Sequence, residues 1–203
     1  MWLHGAAIRP VPPFAVVGEG TMRRVSDELA EDTDAAQGLL DRAFERFEAS
    51  QPQLAHEVSE LLGKPLDETA LALGYFLTIA VYLAFDRSFG ERLAVVTKEA
   101  IVASDAALGL EEELRSEHAE EPVEFDDVVM ALQPAVMGFV NEHVEAALDV
   151  TRGDDEAETD DAEAADIDDV HKVYRMVLLV TLALSHAVRA PSGTKDTGAE
   201  ILA

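Results

Sequence analysis

The residues of this chain that could carry out chemistry are six histidines, 41 Asp and Glu residues and a few hydroxyl groups. Two spacings, Asp168-x-x-His171 and His56-x-x-x-Glu60, place a carboxylate and an imidazole on one helix face, which is the first requirement of a metal site. The histidines lie in six separate stretches, however, and the Glu-x-x-His spacing of di-iron helical bundles does not occur. We therefore predict that the chain holds no metal ion.

Motifs for nucleophilic catalysis and for nucleotide binding are equally weak. Ser185 and His186 are adjacent, and neighbouring side chains on a helix point about 100° apart, so they cannot act as nucleophile and base. Gly18-Glu19-Gly20 and Gly63-Lys64 lack the other residues of the dinucleotide and phosphate-binding motifs. The sequence predicts no catalytic residue and no cofactor; enzymatic activity stays open but is not favoured.

The charge balance restricts the partners that the protein can bind. The chain has 203 residues and a formal net charge of -26, with 15 Lys and Arg against 41 Asp and Glu. Nucleic-acid phosphates and anionic membranes attract Lys and Arg, so we expect no direct nucleic-acid binding and consider membrane binding unfavourable. Two interpretations of the acidity remain, namely solubility in a salt-rich cytoplasm and docking of a basic partner protein.

The chain contains no cysteine, which excludes disulfides and thiolate metal sites. Its first residues lack the basic and apolar regions of a secretory signal, which predicts a cytoplasmic protein.

Helical periodicity is the main structural signal. Apolar residues recur every three or four positions from Ala36 to Phe47, which predicts an amphipathic helix. Gln51-Pro52 begins a second helix, because proline suits a first helical turn, and Gly63-Lys64-Pro65 ends it. Further helical faces extend from Leu93 to Leu108 and from Phe125 to Leu132.

Two stretches without any charged residue stand out, 69–85 after the predicted capping residue Asp67, and 176–188. A helix that is apolar on all sides is either the centre of a bundle or a membrane span. Their acidic flanks lack the Lys and Arg clusters that orient a span, which favours the bundle.

These elements predict an all-α fold, a single helical bundle of about six to seven helices around two very apolar central helices. Three prolines and a Gly18-Glu19-Gly20 turn make residues 1–20 an extended N-terminal arm. Residues 21–190 form the helical domain, with an acidic loop at 151–166, and residues 191–203 form a flexible tail.

An internal repeat is the most informative pattern. A shift of 82 residues superposes Gln51-Pro52 on Gln133-Pro134, and a shift of 99 superposes Asp67 on Asp166 and Tyr75 on Tyr174. Each half then contains an amphipathic helix, Gln-Pro, a second helix, a capping Asp and a very apolar helix. The sequence thus predicts a pseudo-symmetric duplication with repeat units 33–90 and 120–188.

The repeat also suggests a ligand-binding site between its two units. Tyr75 and Tyr174 lie on the apolar helices, where a buried hydroxyl needs a partner, and Gln51 and Gln133 could supply amide groups. These four residues are the candidate ligand-binding set. The simpler interpretation is that Gln-Pro only starts a helix and that the hydroxyls reach the bundle surface.

Because catalytic motifs are missing, we expect a non-enzymatic interaction or regulatory protein that docks a partner protein through its acidic helical surface. A basic protein is one option for that partner. The alternative is a helical bundle that binds a small ligand or acts as an enzyme, with its site between the repeat units. An acidic mimic of nucleic acid is less favoured, because the densest acids, at 154–161, lie in a predicted loop. If the apolar helices cannot cover each other, a two-fold homodimer is the expected remedy.

Overall fold

The computed structural model describes residues 9–30, 34–117, 127–152 and 166–192. This part of the chain contains eight α-helices and no β-strand, which confirms the all-α prediction. The sequence predicted about six to seven helices. Two short 3-10 turns, Pro13–Ala15 and Gly90–Arg92, accompany the helices. The helices are α1 (Glu19–Leu29), α2 (Asp34–Ser50), α3 (Pro52–Leu62), α4 (Glu68–Phe89), α5 (Lys98–Glu117), α6 (Asp127–Leu132), α7 (Pro134–Arg152) and α8 (Ile167–Ala187).

The two uncharged stretches form the central helices α4 and α8, which pack against each other. Every residue from Leu77 to Phe85 and from Met176 to Ser185 is buried. The remaining helices supply this cover: α4 also packs against α1, α2 and α7, and α8 against α5, α7 and α3. An all-apolar helix surface therefore has neighbours on every side over these stretches.

The two central helices run parallel. Hydrogen bonds join their N-terminal ends to each other, and further bonds join the segments that follow their C-terminal ends. At the N-terminal end, the Asp166 amide donates to Asp67 Oδ2 over 3.0 Å. At the C-terminal end, the Ala94 amide donates to the Ala187 carbonyl over 3.0 Å, and the Arg189 amide to the Arg92 carbonyl over 2.8 Å. Asp67 and Asp166 each cap their own helix, as the sequence predicted for Asp67.

Gly74 permits the close packing of α4 at its N-terminal half. A Cβ atom there would lie 2.8 Å from Leu62 Cδ2 on α3 and 3.2 Å from Val173 Cγ2 on α8. A Cβ atom here would displace the Leu62 side chain and press on Val173, so the glycine allows α3 and α8 to approach α4 closely.

The N-terminal segment differs from the predicted arm at its end. Glu19 and Gly20 lie in the first turn of α1, so the predicted Gly18-Glu19-Gly20 turn is wrong. Met22, Val25 and Leu29 are the buried residues of this helix. Their helical spacing is present in the sequence, but the charged residues between them and two nearby glycines obscure it.

Other boundaries also shift. Leu93 and Val96, which the periodicity assigns to the apolar face of α5, precede that helix in a non-helical segment. Of the predicted acidic loop 151–166, residues 151–152 form the end of α7 and residue 166 caps α8. Residues 153–165 lie outside the described residues. Residues 1–8 of the predicted arm and 193–203 of the predicted tail also lie outside them.

Among the described helices, one stretch, Glu68–Arg92, is long and apolar enough to cross a membrane. Its most apolar part is 61% buried inside the protein, and a core helix passes the same test of length and composition.

Replacement of Gly74 tests the packing of the central helices. Gly74→Leu is expected to lower the free energy of unfolding by about 1–3 kcal/mol, the usual penalty for overpacking a core. Gly138→Ala on the exposed face of α7 is the control, since a Cβ there meets no atom within 4 Å. It should raise stability by up to about 1 kcal/mol, because alanine favours helix over glycine. Urea unfolding followed by circular dichroism measures both, and a wild-type midpoint for Gly74→Leu would contradict the close approach.

Candidate functional site

Gln51 separates α2 from α3 and uses its side chain to hold a distant extended segment. Its Nε2 donates to the Ala94 carbonyl over 3.1 Å, and its Oε1 accepts from the Val96 amide over 2.8 Å. The residue is only 1% exposed. The side-chain amide thus pairs with two backbone groups two residues apart, as a neighbouring strand would.

Gln133, between α6 and α7, does the same with a different segment. Its Oε1 accepts from the Val17 amide over 2.9 Å, and its Nε2 donates to the Ala15 carbonyl over 2.8 Å and to Ser185 Oγ over 2.9 Å. The residue is fully buried. Both donor hydrogens of its amide are therefore engaged within the fold.

The structure does not gather the four predicted ligand-binding residues at one place. Gln133 contacts Ser185 near the C-terminal end of α8, whereas Tyr174 lies eleven residues earlier, about 16 Å along the helix axis. Tyr174 and Tyr75 are both half-buried, in the N-terminal halves of α8 and α4. The two glutamines position backbone segments, and ligand binding by the set stays a prediction.

Tyr75 lies beside an apolar groove between three helices. Its ring packs against Phe44 of α2, with 5.2 Å between ring centroids. Burial raises the pKa of the Tyr75 hydroxyl, and the negative charges of Asp41 and Glu48 raise it further. This hydroxyl therefore remains protonated in neutral solution.

The groove, called here the α2–α4 groove, has a volume of about 600 Å³. Most of its surface is hydrocarbon, and it is open to solvent along one side. The lining residues are Phe44, Phe47, Val58, Ser59, Leu62, Gly63, Glu68, Leu71, Ala72, Tyr75, Thr78 and Ile79. Among the described residues, the buried Thr78 hydroxyl has no hydrogen-bond partner. Such a surface can bind an apolar group but offers little for catalysis.

A second, shallower groove of about 510 Å³ lies on the other side of α4, between α4 and α7. Near it, Phe76, Phe139 and His143 form an aromatic cluster with 4.2 Å between the Phe139 and His143 rings. His143 Nδ1 is 2.9 Å from the Phe139 carbonyl oxygen, which fixes the ring. The two grooves share Glu68 and Ala72.

Carboxylates gather where α4 and α8 begin. Asp169 is 8% exposed, and its Oδ2 accepts from the Asp67 amide over 2.9 Å while its Oδ1 accepts from Lys172 Nζ over 2.6 Å. The hydrogen bond from Lys172, followed by the one from the Asp67 amide, lowers the pKa of Asp169. Two positive helix N-termini meet here, so the carboxylates also reduce the repulsion between them.

The described part of the chain contains no group of three or more His, Asp or Glu residues that could hold a metal ion. His56 and Glu60, like Asp168 and His171, are exposed pairs without further ligands placed around them. No protein-family profile matches the chain, and neither a curated protein sequence nor a solved structure shows significant similarity to it.

Sequence reasoning missed the groove residues Phe44, Leu62 and Leu71, because their exposure depends on which helix faces lack a neighbour. It also missed Asp169, whose only local signal is Lys172 three residues later. Tyr82 departs from the simpler interpretation, because its side chain is buried and its hydroxyl lies 2.9 Å from Ser50 Oγ inside the fold.

Removal of either glutamine amide should destabilise the fold. Gln133→Leu leaves the Val17 amide and the Ala15 carbonyl without their partner, and each orphaned buried group costs about 1–3 kcal/mol. We expect a loss of at least about 2 kcal/mol, and a similar loss for Gln51→Leu. Gln53→Leu on the exposed face of α3 is the control and should change stability by at most about 0.5 kcal/mol. Equal urea midpoints for all three variants would refute the structural role of the glutamines.

Asp169 should make stability depend on acid pH. Its ordinary pKa of 3.8 is lowered in the fold, so the unfolded chain takes up the proton first as pH falls. The Asp169 carboxylate stabilises the fold at pH values above its ordinary pKa, and this contribution is lost as pH falls through the lowered pKa. The stability difference between wild type and Asp169→Asn should therefore be largest near about pH 7 and shrink towards about pH 3.

Asp105→Asn is the matched control, since Asp105 forms a half-exposed ion pair with Arg175 and such pairs contribute little to stability. Urea unfolding across the pH series should show little difference between this variant and wild type. A pH-independent effect of Asp169→Asn would mean that its carboxylate charge is unimportant.

Proposed function

We propose that the protein is a non-enzymatic cytoplasmic interaction or regulatory protein that binds a basic partner protein through its acidic helical surface. The observation that carries the proposal is the combination of exposed carboxylates with an exposed apolar groove on the same helices. Asp41, Glu45 and Glu48 are exposed on α2, and Glu60 and Glu68 are exposed on α3 and α4. A solubility role alone explains the carboxylates, but it does not explain apolar surface among them.

The charge balance supports a basic partner. The chain has 15 Lys and Arg for 41 Asp and Glu, so most carboxylates lack a cation of their own. Ion pairs already engage several of the cations in the described part, namely Arg23, Arg46, Arg87, Lys172 and Arg175. An acidic surface of this kind attracts cationic partners and repels nucleic acid and anionic membranes.

We also propose that the fold is an internal duplication. Gln51 and Gln133 each precede a helix that begins with proline, and each bonds a carbonyl and an amide two residues apart in a segment before α5 or α1. The neighbours correspond as well, because α4 packs on α1 and α7 while α8 packs on α5 and α3. These correspondences support two related units that exchange their extended segments.

A small apolar ligand is the second candidate occupant, and the specific observation that favours it is the α2–α4 groove. Its volume of about 600 Å³ falls within the range typical of ligand sites. This groove is formed by helices of the first half of the chain, so it is not the site between repeat units that the sequence suggested.

The partner proposal is tested by affinity capture from the native host at native ionic strength, with matched charge variants. Glu45→Gln with Glu48→Gln neutralises two exposed carboxylates three residues apart on α2, and Glu142→Gln with Glu145→Gln does the same on α7. We expect a stoichiometric basic companion that the wild type and the α7 variant retain and the α2 variant loses. Rising salt should release it, because the Debye length falls from about 8 Å at 0.15 M to about 3 Å at 1 M.

Two results would count against this function. Capture of no stoichiometric companion by the wild type would remove the interaction proposal. A companion that neither salt nor the α2 variant releases would show that the acidic surface takes no part.

A further inference from the structure

The N-terminal half of α4 exposes apolar side chains that a fold of this kind does not require. Leu71 is 41% exposed, and Ala72 is exposed beside it. Counted from their capping aspartates, the positions of Ala72 and Leu73 on α4 correspond to His171 and Lys172 on α8. There α8 presents polar side chains to solvent. The apolar surface of α4 is therefore a feature of this helix and not of every central helix in the bundle.

This surface continues into the α2–α4 groove, whose walls are aromatic and aliphatic. Phe44 and Tyr75 form one wall as a ring pair, and Leu62 and Leu71 line the side formed by α3 and α4. Along α4 the groove extends from Glu68 to Ile79, eleven residues or about 16 Å. That length matches three turns of a helix lying in the groove, with anchors at positions i, i+4 and i+7.

Negative charge surrounds the groove. Glu68 lines it, and Asp41 and Glu48 act on the hydroxyl of Tyr75, a lining residue. The exposed cations on the same helices and their connection are Arg42, Arg46, Lys64 and Arg87. Arg46 is held by Asp86 and Arg87 by Glu28, each through an ion pair of 2.7 Å. Carboxylates outnumber cations on these helices, so the charge around the groove favours Lys and Arg side chains.

We propose that the α2–α4 groove binds an amphipathic helix of a basic partner protein. The apolar face of that helix packs between Phe44, Leu62 and Leu71, and Lys or Arg residues on its flanks meet Asp41, Glu48 and Glu68. This proposal rests on the function proposed above and assigns to it one surface and one class of partner segment. The burial of apolar anchors supplies affinity, and the carboxylates select positively charged segments and accelerate their association.

The test uses the full chain and a fluorescent synthetic peptide of about 14 residues, composed of leucine and lysine in an order that gives one apolar helix face. A second peptide has the same composition in a scrambled order that distributes leucine over all faces. Fluorescence anisotropy at native ionic strength measures both affinities. We expect the amphipathic peptide to bind at least about tenfold more tightly than the scrambled one.

Variants assign that binding to the groove. Ala72→Trp obstructs the groove without a change of charge. Because Ala72 lines both grooves and Leu71 lines the α2–α4 groove, Leu71→Ser assigns the effect to the latter. Ala103→Trp on α5 is the matched control for Ala72→Trp, because both alanines are exposed on helices. Leu71→Ser removes apolar wall without filling the groove. We expect Ala72→Trp and Leu71→Ser to weaken the amphipathic peptide by at least about tenfold and Ala103→Trp to leave its affinity unchanged. Thermal unfolding by circular dichroism verifies that each variant is folded.

The outcomes separate this proposal from the function on which it rests. Equal binding of both peptides, or full binding to Ala72→Trp, would retain the acidic docking surface but overturn the role of the groove. Failure of both peptides to bind the wild type would overturn helix docking in the groove, while the capture experiment above decides the proposed function.

Two other occupants of the groove are also tested. A dansyl-labelled fatty acid that binds the wild type but not Ala72→Trp, in the absence of peptide binding, would identify a small-ligand site and overturn helix docking. Light scattering that gives twice the chain mass of 21.9 kDa for the wild type, and 21.9 kDa for Ala72→Trp, would assign the groove to a second copy.

Discussion

The fold depends on the removal of two uncharged helical stretches, Leu77 to Phe85 of α4 and Met176 to Ser185 of α8, from water on all sides. Neither α4 nor α8 has a polar face over its buried length, so each requires neighbours around its whole circumference. The outer helices pack around both and provide them. Parallel packing brings two positive helix ends together, which would repel each other without compensation. The carboxylates of Asp67, Asp166 and Asp169 lie at that point and reduce this repulsion. They also accept hydrogen bonds from backbone amides at both helix ends.

The second constraint is the hydrogen bonding of non-helical backbone, because the described part of the chain has no sheet with which it could pair. The segments around Ala15 to Val17 and Ala94 to Val96 pass along the helical core, where unpaired amides and carbonyls would be costly. Gln51 and Gln133 meet this demand because a side-chain amide carries a donor and an acceptor side by side, like a peptide group. Their burial thus has a structural cause, although glutamine is mostly found at protein surfaces.

The sequence predicts what is encoded locally. The proline after Gln51, the capping Asp67 and the run without charge around α4 each act within a few residues, and the structure has the corresponding helix boundaries. It cannot predict the partners of Gln133, because Val17 and Ser185 lie 116 and 52 residues away along the chain. The groove is equally inaccessible, since Leu71 is as apolar as the buried Leu77 and only the absence of a covering helix distinguishes them. The helical spacing of Met22, Val25 and Leu29 could have predicted α1. The charged residues between them and the nearby glycines made this apolar pattern difficult to recognise.

The two glutamines also impose an order on biosynthesis. Gln51 meets Val96 over a separation of 45 residues, whereas Gln133 meets Val17 over 116 residues. During translation at about 5–20 residues per second, the segment around Val17 therefore waits roughly 6 to 23 seconds before its partner is synthesised. Through that interval the amides of this segment remain hydrogen-bonded to water. The packing of this segment is consequently incomplete until Gln133 has been synthesised.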